Sequence, residues 1–335
     1  MEIKINNVMY TSLDAMEGCV PSAVVSFLRE WYDDAPFVIG HTSGSTGAPK
    51  PIELLKSDMR ASARLTNSYL GIDRDATMLL CLSPAYIAGK MMIVRALEAQ
   101  AHLYVVEPSS TPLDSVDSPI TLAAMVPMQV AATLQQPDGV KRLSQIERLL
   151  VGGAPIGTDL ELQLLQLPTH VYATYGMTET VSHVALRQMG DTCYTAIGDV
   201  AFTTDDRSCL VIDAPQLSGR RFVTNDVVQL VDSKHFVWQG RYDNVIMSGG
   251  LKFCAEEIER KISSVISARY YITSSPDSRL GERIVLVIEA DAYDDTRLAE
   301  LRENLAQHLT RYEMPREIRF MPCFETTYSG KVKRV

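Results

Sequence analysis

Up to about residue 180, the chain alternates compact apolar runs with longer segments whose apolar positions recur at helical spacing. "APFVIG" (35–40), "TMLLCLS" (77–83), "AHLYVVE" (101–107), "ITLAAMV" (120–126) and "IERLLVGG" (146–153) are short and almost uninterrupted, the pattern of strands with little solvent contact. "SDMRASARLTNSYLG" (57–71) and "AGKMMIVRALEAQ" (88–100) predict helices, the first with Ser57 as N-cap and Gly71 just past its end. "PTHVYATYGMTET" (168–180) runs one more strand into a polar turn. Strands alternating with helices predict an α/β fold.

From Cys209 to Gln239 the pattern shortens to the β segments "CLVIDA", "RRFVTN", "DVVQLV" and "HFVWQG". After "GRYDN" (240–244) come a helix at 255–266, strands at 269–275 and 282–290, a helix at 296–309 and a short strand at 317–321. The chain is therefore expected to form a large N-terminal α/β domain with a β-rich subregion, residues 1–240, and a small C-terminal α+β domain, residues 241–335.

Composition narrows the function classes. The 32 Lys and Arg face 41 Asp and Glu, a formal net charge of −9, which argues against nucleic acid as a partner. The six cysteines are scattered, with no CxxC pair; this suits a reducing compartment and weighs against structural zinc. No signal peptide and no membrane-length apolar run is evident, so a cytoplasmic location is expected.

Against this background "TSGSTGAPK" (42–50) stands out, because it crowds Gly, Ser and Thr behind an apolar strand. It is not a Walker A sequence, since Lys50 falls in the wrong register after Gly44 and Gly47. Pro49 and Pro51 delay any helix. Two readings stand: a surface turn, or an anion cradle made of loop amides, hydroxyls and the Lys50 ammonium.

Three further motifs follow in order: "YGMTET" (175–180), "GRYDNVIMSGG" (240–250) and a terminal "SGK" (329–331). Together with the glycine loop they resemble the signature motifs of the adenylate-forming superfamily of acyl- and aryl-CoA synthetases, luciferases and peptide-synthetase adenylation domains. The resemblance covers roughly residues 36–335. It implies two-step chemistry, in which a carboxylate attacks the α-phosphate of ATP to give an acyl-adenylate and pyrophosphate, and a thiol, here coenzyme A, then displaces AMP.

The resemblance also implies roles. Thr42, Ser43, Gly44, Ser45, Thr46, Gly47 and Lys50 would cradle the β- and γ-phosphates; a poor leaving group such as pyrophosphate departs only when its charge is neutralised. Glu179 would hold Mg²⁺ and Thr178 would contact the α-phosphate, while Gly153, Ala154, Pro155, Tyr175, Gly176 and Met177 would border the nucleotide. Asp226, in "TND" where relatives carry "TGD", would bind the ribose hydroxyls together with Arg241. Asp243 would be the hinge about which the mobile C-terminal domain rotates between half-reactions. Lys331 would act in adenylation, and Gly249 and Gly250 would line the CoA tunnel.

The stretches 83–97, 149–156 and 175–187 are most similar to the o-succinylbenzoate:CoA ligases of menaquinone biosynthesis, particularly their short bacterial forms. Two departures stand out: Tyr86 replaces a frequent His, and the glycine loop lies about a hundred residues earlier than in typical members, so that much of the first subdomain is absent. Tyr86, Gly89, Lys90 and His183 are the expected acyl-pocket residues. Lys90 either pairs with the carboxylate that is not activated or runs along its helix to solvent; His183 and Arg187 are weaker candidates for that task. The leading expectation is thus that an aromatic carboxylic acid, o-succinylbenzoate, is activated with ATP and joined to CoA, with a homodimer left open. The alternatives are a ligase for another aryl or acyl acid, an enzyme loading a carrier protein, and a non-catalytic nucleotide-binding relative.

Overall fold

A computed structural model describes residues 1–41, 50–325 and 332–334. Strands covered by helices on both faces read as largely apolar runs, and the core of the fold is built on five parallel strands. His102–Val105, Thr77–Leu80, Ile120–Met125, Ile146–Val151 and His170–Gly176 lie side by side, all parallel, with Ile3–Ile5 added parallel beyond His102–Val105 and Val8–Tyr10 outside it. Successive residues feed opposite layers. Met78 and Leu80 join the core shared with helices Ser22–Tyr32, Lys56–Leu70 and Ile87–Ala99, whereas Leu79 and Cys81 join that shared with helices Pro127–Leu134 and Thr158–Leu164.

Past His170–Gly176 the sheet turns antiparallel, continuing through His183–Gln188, Tyr194–Ala196, His235–Arg241, Arg220–Leu230, Cys209–Ala214 and Ala201–Thr204. "RRFVTN" and "DVVQLV" are therefore one strand, not two, and the register shift opposite Gly240 and Trp238 falls just after Asp226. A second sheet orders Leu251–Cys254, Val245–Ser248, Gly281–Glu289 and Tyr270–Asp277, with Glu317–Met321 parallel to Gly281–Glu289. With helices Ala255–Lys261 and Asp295–His308 it encloses its own core around Ile246, Ile258, Ile284, Leu286 and Leu305.

Other local expectations shift. Helix Lys56–Leu70 starts directly after the strand Pro51–Leu55, with Leu55 at the N-cap, so Ser57 lies inside the first turn and caps nothing. Gly71 does end that helix, in the left-handed conformation with φ 63°. The helix expected at 255–266 stops at Lys261. Among the described residues no helix is long and apolar enough to cross a membrane, and all six cysteines are free.

Candidate active site

In open α/β sheets, ligands gather beyond the carboxyl ends of the parallel strands, and three of the sequence motifs lie there. Gly153, Ala154 and Pro155 follow Ile146–Val151; Tyr175 and Gly176 end the next strand, with Met177, Thr178 and Glu179 beyond it; Tyr86 and Gly89 follow Thr77–Leu80. Gly176 crosses so close to the returning strand that a Cβ would stand 2.3 Å from the Ser182 carbonyl oxygen. This near-contact forces the tight loop that projects Thr178 and the exposed Glu179. Thr180 closes the loop: its hydroxyl, with one proton to donate, stands 3.0 and 2.7 Å from the Met177 and Ser182 carbonyl oxygens and accepts from Met177 N–H (3.0 Å).

Strand Phe37–His41 pairs antiparallel with Pro51–Leu55, so residues 42–50 connect the arms of a hairpin separate from the main sheet. Gly40 allows the close approach that brings the hairpin to the loop: a Cβ there would be 3.3 Å from Thr178 Cγ2 and 2.7 Å from Leu54. Thr42, Ser43, Gly44, Ser45, Thr46, Gly47 and Lys331 lie outside the described residues. Lys50 is exposed at the foot of the return strand.

Asp226 is the centre of a cluster of three side chains. Tyr175 donates its hydroxyl to Asp226 Oδ2 (2.7 Å), the Trp238 indole donates to Oδ1 (3.3 Å), and Arg241 Nη1 stands 3.6 Å from Oδ1. Burial, followed by the neighbouring Asp226 charge, pushes the Tyr175 hydroxyl well above its usual range, so it remains a donor. Arg241 also meets Asp243 Oδ2 at 3.0 Å. Asp243 lies in the single turn Tyr242–Asn244 that joins the two sheets, and its ring neighbour Tyr242 sits between Arg207 (5.0 Å) and Lys252 (5.7 Å). Gly249 and Gly250 form the turn between Val245–Ser248 and Leu251–Cys254.

The expected acyl-pocket residues separate. Tyr86 is 61% exposed. Lys90 is buried and bound to Glu30 Oε2 at 2.7 Å, with its ammonium 4.7 Å from the centre of the Phe27 ring. His183 turns into the interior, 2.9 Å from the Thr66 hydroxyl; burial and then the Arg95 charge hold it well below the usual histidine range, hence neutral. Arg187 is engaged by Glu161 at 2.6 Å.

Arg95, which the sequence analysis did not single out, is 2% exposed and has no acidic partner among the described residues. Its Nη2 donates to the Ser182 hydroxyl at 2.7 Å, its Nη1 approaches Met92 sulfur at 3.7 Å, and its Nε finds no acceptor. Burial lowers its pKa to about 10, so the guanidinium remains charged at neutral pH. Asn67, whose amide donates to the Arg95 carbonyl (2.9 Å), also has an unpaired buried oxygen. A buried cation lacking a counter-charge costs free energy unless something supplies one. The signal in the sequence was one arginine inside the apolar helical run "MMIVRAL".

Comparison with known proteins bears on the family and the fold. The 2-succinylbenzoate–CoA ligase of Enterococcus faecalis is 24% identical over 331 residues, covering 88% of this chain and 68% of that protein. The structure of an acyl-CoA synthetase (AMP-forming)/AMP-acid ligase II-like protein from Dyadobacter fermentans is 35% identical, with TM-score 0.65, over 94% of this chain and 93% of that one. The o-succinylbenzoate CoA synthetase of Bacillus subtilis, solved with its acyl-adenylate intermediate, shares the fold with TM-score 0.71 at 19% identity, over 88% of this chain and 66% of that one. Residues 11–218, more than half of the chain, match the AMP-binding enzymes, and the chain belongs to that family.

Proposed function

We propose that this AMP-binding enzyme is an ATP-dependent ligase that converts o-succinylbenzoate to its acyl-adenylate and transfers the acyl group to coenzyme A, a step of menaquinone biosynthesis. The observation that carries the choice of acid is Arg95. A dicarboxylic aromatic acid has one carboxylate to activate and a second to be recognised, and a buried guanidinium with an open Nε beside Ser182 supplies the missing counter-charge. The Enterococcus faecalis relative is named as a ligase of the same acid.

In this reading Asp226 accepts the ribose hydroxyls and Arg241 lies beside them, while Thr178 and Lys50 face the phosphates. Glu179 would hold Mg²⁺: no group of three or more His, Cys, Asp or Glu able to hold a metal occurs among the described residues, and a lone carboxylate suits an ion shared with substrate phosphates and water. When bound, that ion neutralises phosphate charge. Thr178 and Lys50 donate to the oxygens on which charge grows as pyrophosphate leaves. Lys331 would add a contact made mainly in the transition state. Rotation of residues 241–335 about Asp243 would then bring the turn at Gly249 and Gly250, the expected path of the thiol, to the site.

Pyrophosphate release by the purified protein with ATP and Mg²⁺, across o-succinylbenzoate, benzoate, salicylate, acetate and a medium-chain fatty acid, each with and without CoA, tests this. Release with o-succinylbenzoate alone, and thioester only when CoA is added, is expected. Release confined to another acid would overturn the substrate, and no release from folded, ATP-binding protein would overturn the ligase.

A further inference from the structure

Lys90 and Arg95 sit on one helix, yet only Arg95 lacks an acidic partner. The Lys90 ammonium is satisfied twice, by Glu30 Oε2 at 2.7 Å and by the face of Phe27. Its side chain is 9% exposed and that of Glu30 30%. The other oxygen of the same carboxylate, Glu30 Oε1, accepts the backbone N–H of Ile39 at 2.8 Å.

Ile39 is the middle residue of Phe37–His41, and its neighbour Gly40 is the residue in close contact with Leu54 and Thr178. Among the described residues the hairpin strands pair with each other and not with the main sheet; Val38 and Leu54 pack it into the core, and side attachments such as the Glu30 bond add a directed hold on strand Phe37–His41. The second attachment is at the end of the same helix, Ser22–Tyr32, where Lys56 donates to the Asp33 carboxylate (2.7 Å) and carbonyl (3.0 Å).

We propose that Lys90 is a positioning residue for the nucleotide half of the site. By fixing the Glu30 carboxylate it holds the Ile39 amide, and with it the strand that sets Gly40 against Thr178; it does not bind the second carboxylate of the acid. The proposal rests on the adenylation reading above for its kinetic consequence, but not for its structural one. It also couples two walls of the site. Helix Ile87–Ala99, which carries Arg95 on the acyl side, is joined through one carboxylate to the strand on the phosphate side.

The test measures KM for ATP and for o-succinylbenzoate separately in pyrophosphate release, with amide exchange at Ile39 followed in parallel. Lys90→Met and Glu30→Ala should each raise the KM for ATP about 10-fold while moving the KM for the acid less than about 2-fold. Being links of one chain, the two together should do no more than either alone. Lys90→Arg, which can still reach the carboxylate, should stay within about 3-fold of the parent. Exchange at Ile39 should accelerate about 10-fold in Lys90→Met and in Glu30→Ala. A rise in KM confined to dicarboxylic acids in Lys90→Met, with Glu30→Ala silent, would overturn the proposal and make Lys90 a substrate contact. If the parent protein releases no pyrophosphate with any acid, the ligase reading fails, and Ile39 exchange alone decides; unchanged exchange in both variants overturns the positioning role. Should Lys90→Met not fold, Glu30→Ala carries both readouts, and unchanged values there have the same consequence.

Discussion

One arginine in each part of the molecule is held in a different way. Under the large sheet, Arg95 is enclosed with a hydroxyl and a sulfur but no acid, and the adjacent His183 is kept neutral. In the C-terminal unit, the half-buried Glu259 is gripped by Arg334 at 2.7 and 3.0 Å, and Lys261 meets both Glu257 and Glu313. Arg334 also approaches Glu256 (3.5 Å), which in turn accepts from Arg241 N–H (3.3 Å) and from the Asn244 amide at the junction. Paired charges of this kind fix one element against another, while a cation left unpaired is suited to a ligand.

The comparison breaks most readily at Arg95. Arg95→Met should raise the KM for o-succinylbenzoate about 100-fold, the loss of one charged hydrogen-bonded contact, and leave that for a monocarboxylic analogue nearly unchanged. Thermal stability should hold within about 1 kcal/mol, because no carboxylate is orphaned. Equal loss with both acids would make Arg95 a packing residue after all.

Arg334→Met should behave in the opposite way, with a small change in acid affinity and about 2 kcal/mol of lost stability at pH 8.5, because Glu259 is left without its counter-charge. Burial raises Glu259 to about 7 in spite of Arg334. In the parent protein its contribution is therefore full below pH 4.5 and is lost as pH rises to about 7, since the folded state holds the proton that the unfolded chain releases. At pH 6 both proteins carry the neutral acid, so denaturation there should show a smaller gap between them than at pH 8.5. A gap independent of pH would refute this account.

The smallest expected effect belongs to His183. Its folded pKa is depressed, so its contribution is complete above the unfolded value near 6.5 and is lost as pH falls below it. His183→Gln should flatten the decline of melting temperature between pH 6.5 and 5. An identical decline in the variant would mean that the ring protonates without cost.

What the sequence disclosed follows the same division between local pattern and distant pairing. "ITLAAMV" was readable as a strand because only Thr121 interrupts its apolar run, and "IERLLVGG" because Leu149, Leu150 and Val151 form a buried apolar run after Glu147 and Arg148. The return strand Pro51–Leu55 was not, since Pro51 and Glu53 interrupt its pattern and its pairing lies across the loop. Helix Ser22–Tyr32 carries a helical spacing in Val24, Val25, Phe27, Leu28 and Trp31 that the reading overlooked. The candidate residues Tyr175, Asp226 and Arg241 were legible as motifs, and the sheet register that sets Asp226 opposite Arg241 could not be read from them. Two cations in one apolar helix look alike in sequence. Which of them meets an acid depends on Glu30, sixty residues away.

The Asp226 cluster draws on three strands, with Tyr175, Trp238 and Arg241 reaching one carboxylate across a stretch of sheet that must be fully zipped for them to meet. A ligand held there would have no foothold on a partly assembled chain. Its binding would then act as a proofreading step on folding: at a hundred times its dissociation constant it would add about 2.7 kcal/mol to the complete sheet alone, so the ligand pool of the cell would influence how much of this protein survives to work.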